Sequence, residues 1–406
     1  MRRARWPKAM IGQHLTRVVV LAGLLVVGAA RAETAAERGA YLAVLGDCAA
    51  CHTAPGGAAM AGGRRIPTPF GAVIAPNLTP DPATGIGAWS EAEFARAVRD
   101  GIGRGGEYLY PAHPYPYFAA FSDADVAALA AYFRGLPPVH QDLRGADLAF
   151  PLDFRPFLGL WNLLYFRPTP WRPDPGHDAP WNRGAFLVEG PGHCGACHTP
   201  KTALGGDVLA RALQGGVVAG WVAPALDGDR RTGLGGWSAD DITRFLASGA
   251  TSRQLASGPM AEVVRLSTSR MTEADRAAIA DYLKSLPAAP TAPSPRPDEA
   301  IMARGKGLYR DRCAPCHGAE GLGQARLFPR LAGSAVVQAR RPDTVLGVIV
   351  HGAQAVATPD APTGPAMPAF AGLLRPEEIA AVASYIRNSW GNRAPGVDAS
   401  AVPMHQ

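Results

Sequence analysis

No cysteine is spare in this sequence: the 406 residues hold six, and all six fall in three close pairs. Beyond residue 32 no apolar run reaches the ~20 residues that a membrane-crossing helix needs. Charge of one sign is missing as well. Residues 1–32 carry six Lys/Arg and no Asp/Glu, which leaves 34 basic and 34 acidic residues in the remainder. A neutral chain argues against a nucleic-acid binder, whose footprint is a basic face. There is no Gly-rich nucleotide loop and no nucleophile–base motif, so nothing points to a substrate site of the chain's own.

What is abundant is glycine and proline, 47 and 38 residues. Such a chain spends much of its length in turns, and a large apolar cofactor would help it build a core. The length suits two to four domains. Arg2, Arg3, Arg5, Lys8 and Arg17 precede an apolar run of thirteen residues, Val18 to Ala30, and Ala30-Arg31-Ala32 is a small-x-small cleavage site. This pattern predicts a cleavable secretory signal peptide over residues 1–32. The run is short for the alternative, an uncleaved anchor.

Three landmarks recur in order along the chain. A short helix opens each copy at Arg38-Gly39, Arg183-Gly184 and Arg304-Gly305, followed by the first cysteine of a pair after ten, eleven and nine residues. A middle helix starts at Ser90 with Glu93 three residues on, and at Ser238 with Asp241; both read as capping boxes. The third copy starts near Pro342 and carries Val345, Leu346, Ile349 and Val350 at helical spacing. A closing helix opens at Ser122, Thr272 and Arg375, with Tyr132, Tyr282 and Tyr385 ten residues later.

The pairs are Cys48/Cys51, Cys194/Cys197 and Cys313/Cys316, each followed directly by histidine. Alone, one pair could be a disulfide, a redox dithiol or half of a zinc site. A redox dithiol does not need the histidine, and zinc usually needs two pairs in one small domain. Cys-x-x-Cys-His is the attachment signature of c-type haem. Two thiols on a turn entering a helix reach two vinyl groups of one porphyrin, and the next imidazole faces the iron. The expectation is three covalent haem c groups with His52, His198 and His317 as proximal ligands.

A haem that only transfers electrons needs a second axial ligand, and a thioether is usual. Met260, in Gly258-Pro259-Met260, and Met367, in Ala366-Met367-Pro368, precede their closing helices by 12 and 8 residues. Met271, beside a helix start, reads as packing. The first copy differs: Ala112-His113-Pro114 stands where the third has Ala-Met-Pro. His113 is the expected ligand there, giving bis-His ligation and a lower potential. The alternatives are Met60, the one methionine between residue 33 and the second pair, or no ligand.

These motifs carry a resemblance. RGAYLA…GDCAACHTAPGG, GHCGACHTP, SGPMAEVV and YIRNSWGN are similar to the triple-haem cytochrome subunits of bacterial periplasmic dehydrogenases acting on alcohols, gluconate, sorbitol and related sugars. The resemblance covers nearly the whole chain beyond residue 32. It implies an all-α protein of three tandem class I cytochrome c domains joined by Pro-rich linkers. The domains span 33–138, 181–287 and 298–393, with an aromatic, Pro-rich strap at 139–180, a linker at 288–297 and a flexible tail at 394–406. The strap reads as packing over its neighbours or, alternatively, as a docking surface. The resemblance further implies a catalytic partner subunit, either a flavoprotein or a quinoprotein, membrane quinone as acceptor, and a periplasmic site peripheral to the inner membrane. Relatives usually carry Met where His113 stands, and many extend into an amphipathic C-terminal anchor absent here. That departure admits other partners, such as a molybdenum enzyme. Two rival functions are a self-contained multi-haem oxidoreductase using an unusual first site and a soluble shuttle.

Overall fold

Each copy of the repeat is organised by one crossing of two helices. The opening helices are Ala35–Leu45, Ala179–Glu189 and Glu299–Arg312; the closing helices are Asp123–Arg134, Glu273–Ser285 and Pro376–Arg387. In the computed structural model the described residues are 33–143, 147–150, 152–289 and 291–403. The signal-peptide expectation for 1–32 therefore lies outside them.

The recurrent Arg-Gly pair explains the crossing. A Cβ on Gly39, Gly184 or Gly305 would lie 1.9, 1.9 or 2.2 Å from the carbonyl oxygen of Ala128, Ala278 or Ala381. Only glycine lets the helix backbones approach so closely. The neighbouring arginine reaches the first turn of the closing helix. Arg38 donates to Asp125 at 2.6 Å, and Arg183 donates two bonds of 2.8 Å to Asp275. Arg304 pairs with Glu378 at 3.5 Å. Each acid is the third residue of its helix. Asp125 closes a capping box with Ser122, Glu378 accepts from the Arg375 amide at 3.0 Å, and the Asp275 amide donates to the Thr272 hydroxyl. In the first and third repeats one carboxylate thus both caps a helix and locks the crossing.

The middle helices are Glu91–Asp100, Ala239–Ser248 and Asp343–His351. Ser90–Glu93 and Ser238–Asp241 form the expected capping boxes. The third begins after Pro342 with no side-chain cap and buries Val345, Leu346, Ile349 and Val350.

The chain is predominantly helical but not all-α. Short antiparallel pairs occur in each repeat: Arg65–Thr68 with Gly71–Ile74, Gly216–Val218 with Trp221–Ala223, and Ala353–Gln354 with Ala366–Met367. Asp147–Leu148 adds a third strand to the first. In the second hairpin Ala219 and Gly220 both have positive φ, 47° and 76°, the two-residue turn that matches strand twist. Strands this short leave too little alternation to read.

The first two repeats share one apolar core, running from Leu42 and Phe94 to Leu187, Ile279 and Leu283. Tyr41 joins them, donating to Asp275 at 2.6 Å and accepting from the Thr272 amide at 3.0 Å. The third repeat has its own core around Leu346, Ile379 and Val382. It meets the second through Ala256, Val264 and Val356 and through a Ser257–Ala355 bridge.

The strap contains a helix, Phe157–Tyr165. The stretch from residue 394 was expected to be a flexible tail, but its described part packs. Ala394, Val397 and Val402 are buried, and the Val397 amide donates to the Ser384 hydroxyl at 2.9 Å. Small apolar residues facing Ser384 supply that fit. Among the described residues no helix is long and apolar enough to cross a membrane.

Candidate functional site

Each cysteine pair frames a one-turn helix, Cys48–His52, Gly195–His198 or Ala314–His317, with Cys194 and Cys313 as the residues just before the second and third. All six sulfurs are free. Burial pushes the Cys48 and Cys194 thiols up to about 12 and those of Cys51 and Cys313 to about 11. Such surroundings favour uncharged sulfur, which suits a thioether and disfavours thiolate–metal bonding. Among the described residues no three His, Cys, Asp or Glu side chains converge to hold a metal ion, so the zinc reading finds no ligand set.

The three histidines share one arrangement. Nδ1 of His52, His198 and His317 lies 2.8, 2.7 and 3.0 Å from the backbone carbonyl oxygens of Pro76, Pro224 and Pro329. A carbonyl can only accept, so Nδ1 carries the proton and Nε2 keeps its lone pair. This is the outer-shell bond that orients a metal-ligating imidazole and raises its basicity. Burial also holds all three below the usual histidine range, which keeps them neutral. The donor set fits haem c: two free sulfurs and one neutral imidazole with its outer nitrogen already bonded, three times over. Sequence reasoning missed the prolines. The faint signal was a proline carbonyl between 12 and 26 residues after each histidine.

His113 sits in the loop before the short helix Tyr115–Phe118. Its Nε2 donates to the Ala97 carbonyl of the middle helix at 3.1 Å, which leaves the lone pair on Nδ1. Burial and then the neighbouring His52 push His113 down to about 4, so it too is neutral. Met60 is buried in the shared core at a positive φ of 58°. Its amide donates to the Thr53 hydroxyl at 3.1 Å, which ties its backbone to the segment just after His52.

Met260 was read as a loop residue. It lies instead in the first turn of a helix, Gly258–Leu266, because Pro259 stands where a helix tolerates proline. It packs on the same apolar cluster as Cys194. Met367 lies in the two-residue strand Ala366–Met367 and packs on the cluster that holds Cys313. Met271 is buried in the core, the packing role expected of it.

The first two attachment sites adjoin. A ring nitrogen of His193, next to Cys194, lies 3.3 Å from the Gly46 carbonyl, two residues before Cys48. Arg64 bonds both the Ala50 carbonyl and Glu262, the latter also through a 2.8 Å bond. That guanidinium spans from the first attachment helix to the Met260 helix. Asp47 lies beside it, buried, with one carboxylate oxygen unpartnered. Burial, with Glu262 adding to it, raises Asp47 to about 8.

Residues 36–137, 183–287 and 302–390 each match the cytochrome c family. The chain is 43% identical over 407 residues to the cytochrome c subunit of a quinone-type alcohol dehydrogenase from Gluconacetobacter polyoxogenes, covering 94% of this chain and 86% of that one. It is 40% identical over 382 residues to the cytochrome c subunit of gluconate 2-dehydrogenase from Pantoea cypripedii, covering 88% and 86%. It is also 33% identical over 437 residues to the cytochrome subunit of fructose dehydrogenase from Gluconobacter japonicus, covering 98% and 89%. Three matched repeats, three attachment helices and three carbonyl-bonded histidines lead to one conclusion: this chain belongs to the cytochrome c family and is an electron-transfer protein with three covalently bound c-type haems.

Proposed function

We propose that the chain is the cytochrome subunit of a periplasmic dehydrogenase. It receives electrons from a catalytic partner, a flavoprotein, quinoprotein or molybdenum enzyme, and passes them to membrane quinone or another acceptor. The names of the relatives, each a dehydrogenase subunit, support this over a self-contained oxidoreductase working at the first site. Residues 1–32 would direct export, and the three domains would occupy 33–138, 181–287 and 298–393.

Cys48 and Cys51, Cys194 and Cys197, and Cys313 and Cys316 form the thioethers in this reading. His52 with His113, His198 with Met260, and His317 with Met367 bind the irons. The haem supplies one-electron chemistry at a potential set by its axial ligands. The protein's work is to fix each imidazole, keep it neutral and exclude water. The observation that carries the assignment is the proline carbonyl on each proximal Nδ1, which leaves three equivalent nitrogens free. His113 is favoured over Met60 because Met60 is tied to the segment beside the proximal histidine.

Absorbance of the oxidised three-haem protein tests the ligands. Two methionine–iron charge-transfer components are expected, one lost in Met260→Ala and the other in Met367→Ala. A third component that survives His113→Ala would remove the bis-His assignment. Purification from native membranes, with cofactor analysis of the accompanying large subunit, tests the partner.

A further inference from the structure

The strap helix Phe157–Tyr165 has two faces of different character. At about 100° per residue, Phe157, Leu160, Leu163 and Leu164 fall within an arc of about 120°. These four side chains are 46, 57, 70 and 51% exposed. The opposite face is committed to the protein. Leu158 is buried, and Asn162 accepts from the hydroxyl of Tyr115, a fully buried residue two positions after His113. Trp161 Nε1 donates to the Leu204 carbonyl of the second repeat at 3.0 Å. The helix is thus pinned across two repeats, with a greasy face left outward. Phe150 and Phe154, 80 and 54% exposed, extend that face.

Its charge says what it meets. Residues 150–172 hold three arginines and a single carboxylate, within a chain that is neutral beyond residue 32. Arg167 and Arg172 are exposed just past the end of the helix. Arg167 donates to the Leu163 and Phe166 carbonyls, which holds its charge beside the apolar face. At the other end Arg155 lies over the Tyr110 ring, 4.7 Å from its centre. Leucine and phenylalanine on one face with arginines at both ends is the pattern of a helix lying in the lipid–water interface. The three arginines around four apolar side chains match the negative surface of an anionic bilayer.

We propose that this helix is a membrane-docking surface which seats the protein on an anionic bilayer, with the His113 loop directly behind it. The proposal rests on the reading that electrons leave to an acceptor in the membrane. It places the first repeat, rather than the chain's end, against the lipid.

The test uses the complete three-haem protein and vesicles of phosphatidylethanolamine with phosphatidylglycerol. Wild type should sediment with them and should be released by salt or by exchange to neutral phosphatidylcholine vesicles. In Leu160→Gln/Leu163→Gln/Leu164→Gln the partition coefficient should fall roughly a hundredfold, since three leucines each lose about half their burial. The variant's haem spectra and thermal midpoint should stay unchanged, because all three side chains point away from the fold. Equal binding by wild type and variant would overturn the proposal. So would a variant that loses affinity for its catalytic subunit while wild type ignores vesicles, since that would make the face a protein interface. Electron delivery from the partner to a water-soluble acceptor checks the relay reading separately and should be the same in both proteins.

Discussion

Two glycines on one helix should respond in opposite directions to the same substitution. Gly305 and Gly307 both lie within Glu299–Arg312. A Cβ on Gly305 would sit 2.2 Å from the Ala381 carbonyl oxygen and 2.7 Å from Tyr385 Cβ, whereas one on Gly307 meets nothing within 4 Å. To restore ordinary contact at Gly305 the two helices must part by about 1 Å, against an interaxial distance of about 8–10 Å. That separation would disturb the Arg304–Glu378 pair and the Tyr309–Tyr385 ring contact. Overpacking of this kind costs about 1–3 kcal/mol, and a backbone atom cannot rotate away, so the upper end applies. Gly307→Ala should instead stabilise by about 0.5–1 kcal/mol, because alanine loses less freedom in a helix interior. Thermal unfolding of the three-haem protein, followed by circular dichroism, reads both. Gly305→Ala should lower the midpoint of the third repeat by several degrees and Gly307→Ala should raise it slightly. If both variants move the midpoint alike, the crossing does not depend on that contact and the explanation of the repeated Arg-Gly pair fails.

Arg387 is fully buried, and its guanidinium donates to the carbonyls of Val337, Ala339, Arg340, Arg341 and Pro395. Arg387→Met should cost about 3 kcal/mol in urea unfolding by stranding those acceptors, and Arg387→Lys should recover less than half, since an ammonium lacks the fork. Arg64→Gln and Glu262→Gln should show a coupling of about 1–2 kcal/mol in a double-mutant cycle; strict additivity would mean that the pair does not hold the two repeats together. Asp47 is raised to about 8 by burial, so the folded protein keeps a proton that the unfolded chain releases above about pH 4. Its contribution to stability therefore falls as pH rises from about 4 to 8 and is level above that. Asp47→Asn, tolerated at its left-handed backbone, should be more stable than wild type. The gap should widen by about 1 kcal/mol per unit between pH 5 and 8, and a gap that does not change with pH would show that Asp47 is not held protonated.

The repeated features were legible because each is local. Cys-x-x-Cys-His fixes the attachment turn within five residues, and Ser90–Glu93 fixes a helix start within four. What stayed hidden involves backbone groups far along the chain. The Pro76, Pro224 and Pro329 carbonyls carry no side-chain signature, and their separation from the histidine varies from 12 to 26 residues, too loose a spacing to single them out. The Arg-Gly pair was visible as a repeat, but its meaning appears only once Ala128, Ala278 and Ala381 lie across from it. Met260 looked like a loop residue because Gly-Pro usually marks a turn, whereas here it opens a helix. The hairpins escaped notice because their strands are two to four residues long.

The bridge between Ser257 and Ala355 has a mechanical side. It is reinforced by the Val356 amide donating to Ala256 at 3.0 Å. On one side the next turn of chain carries Met260. On the other, Ala355 continues the strand that pairs with Ala366–Met367. The joint therefore works as a strut between two methionine segments. Any swing of the third repeat away from the second would pull on both segments at once, before it strained either helical core. In the ligand assignment proposed above, tension across that joint would act on both methionine ligands at the same moment, whereas the first site, held by the strap, lies outside the line of force.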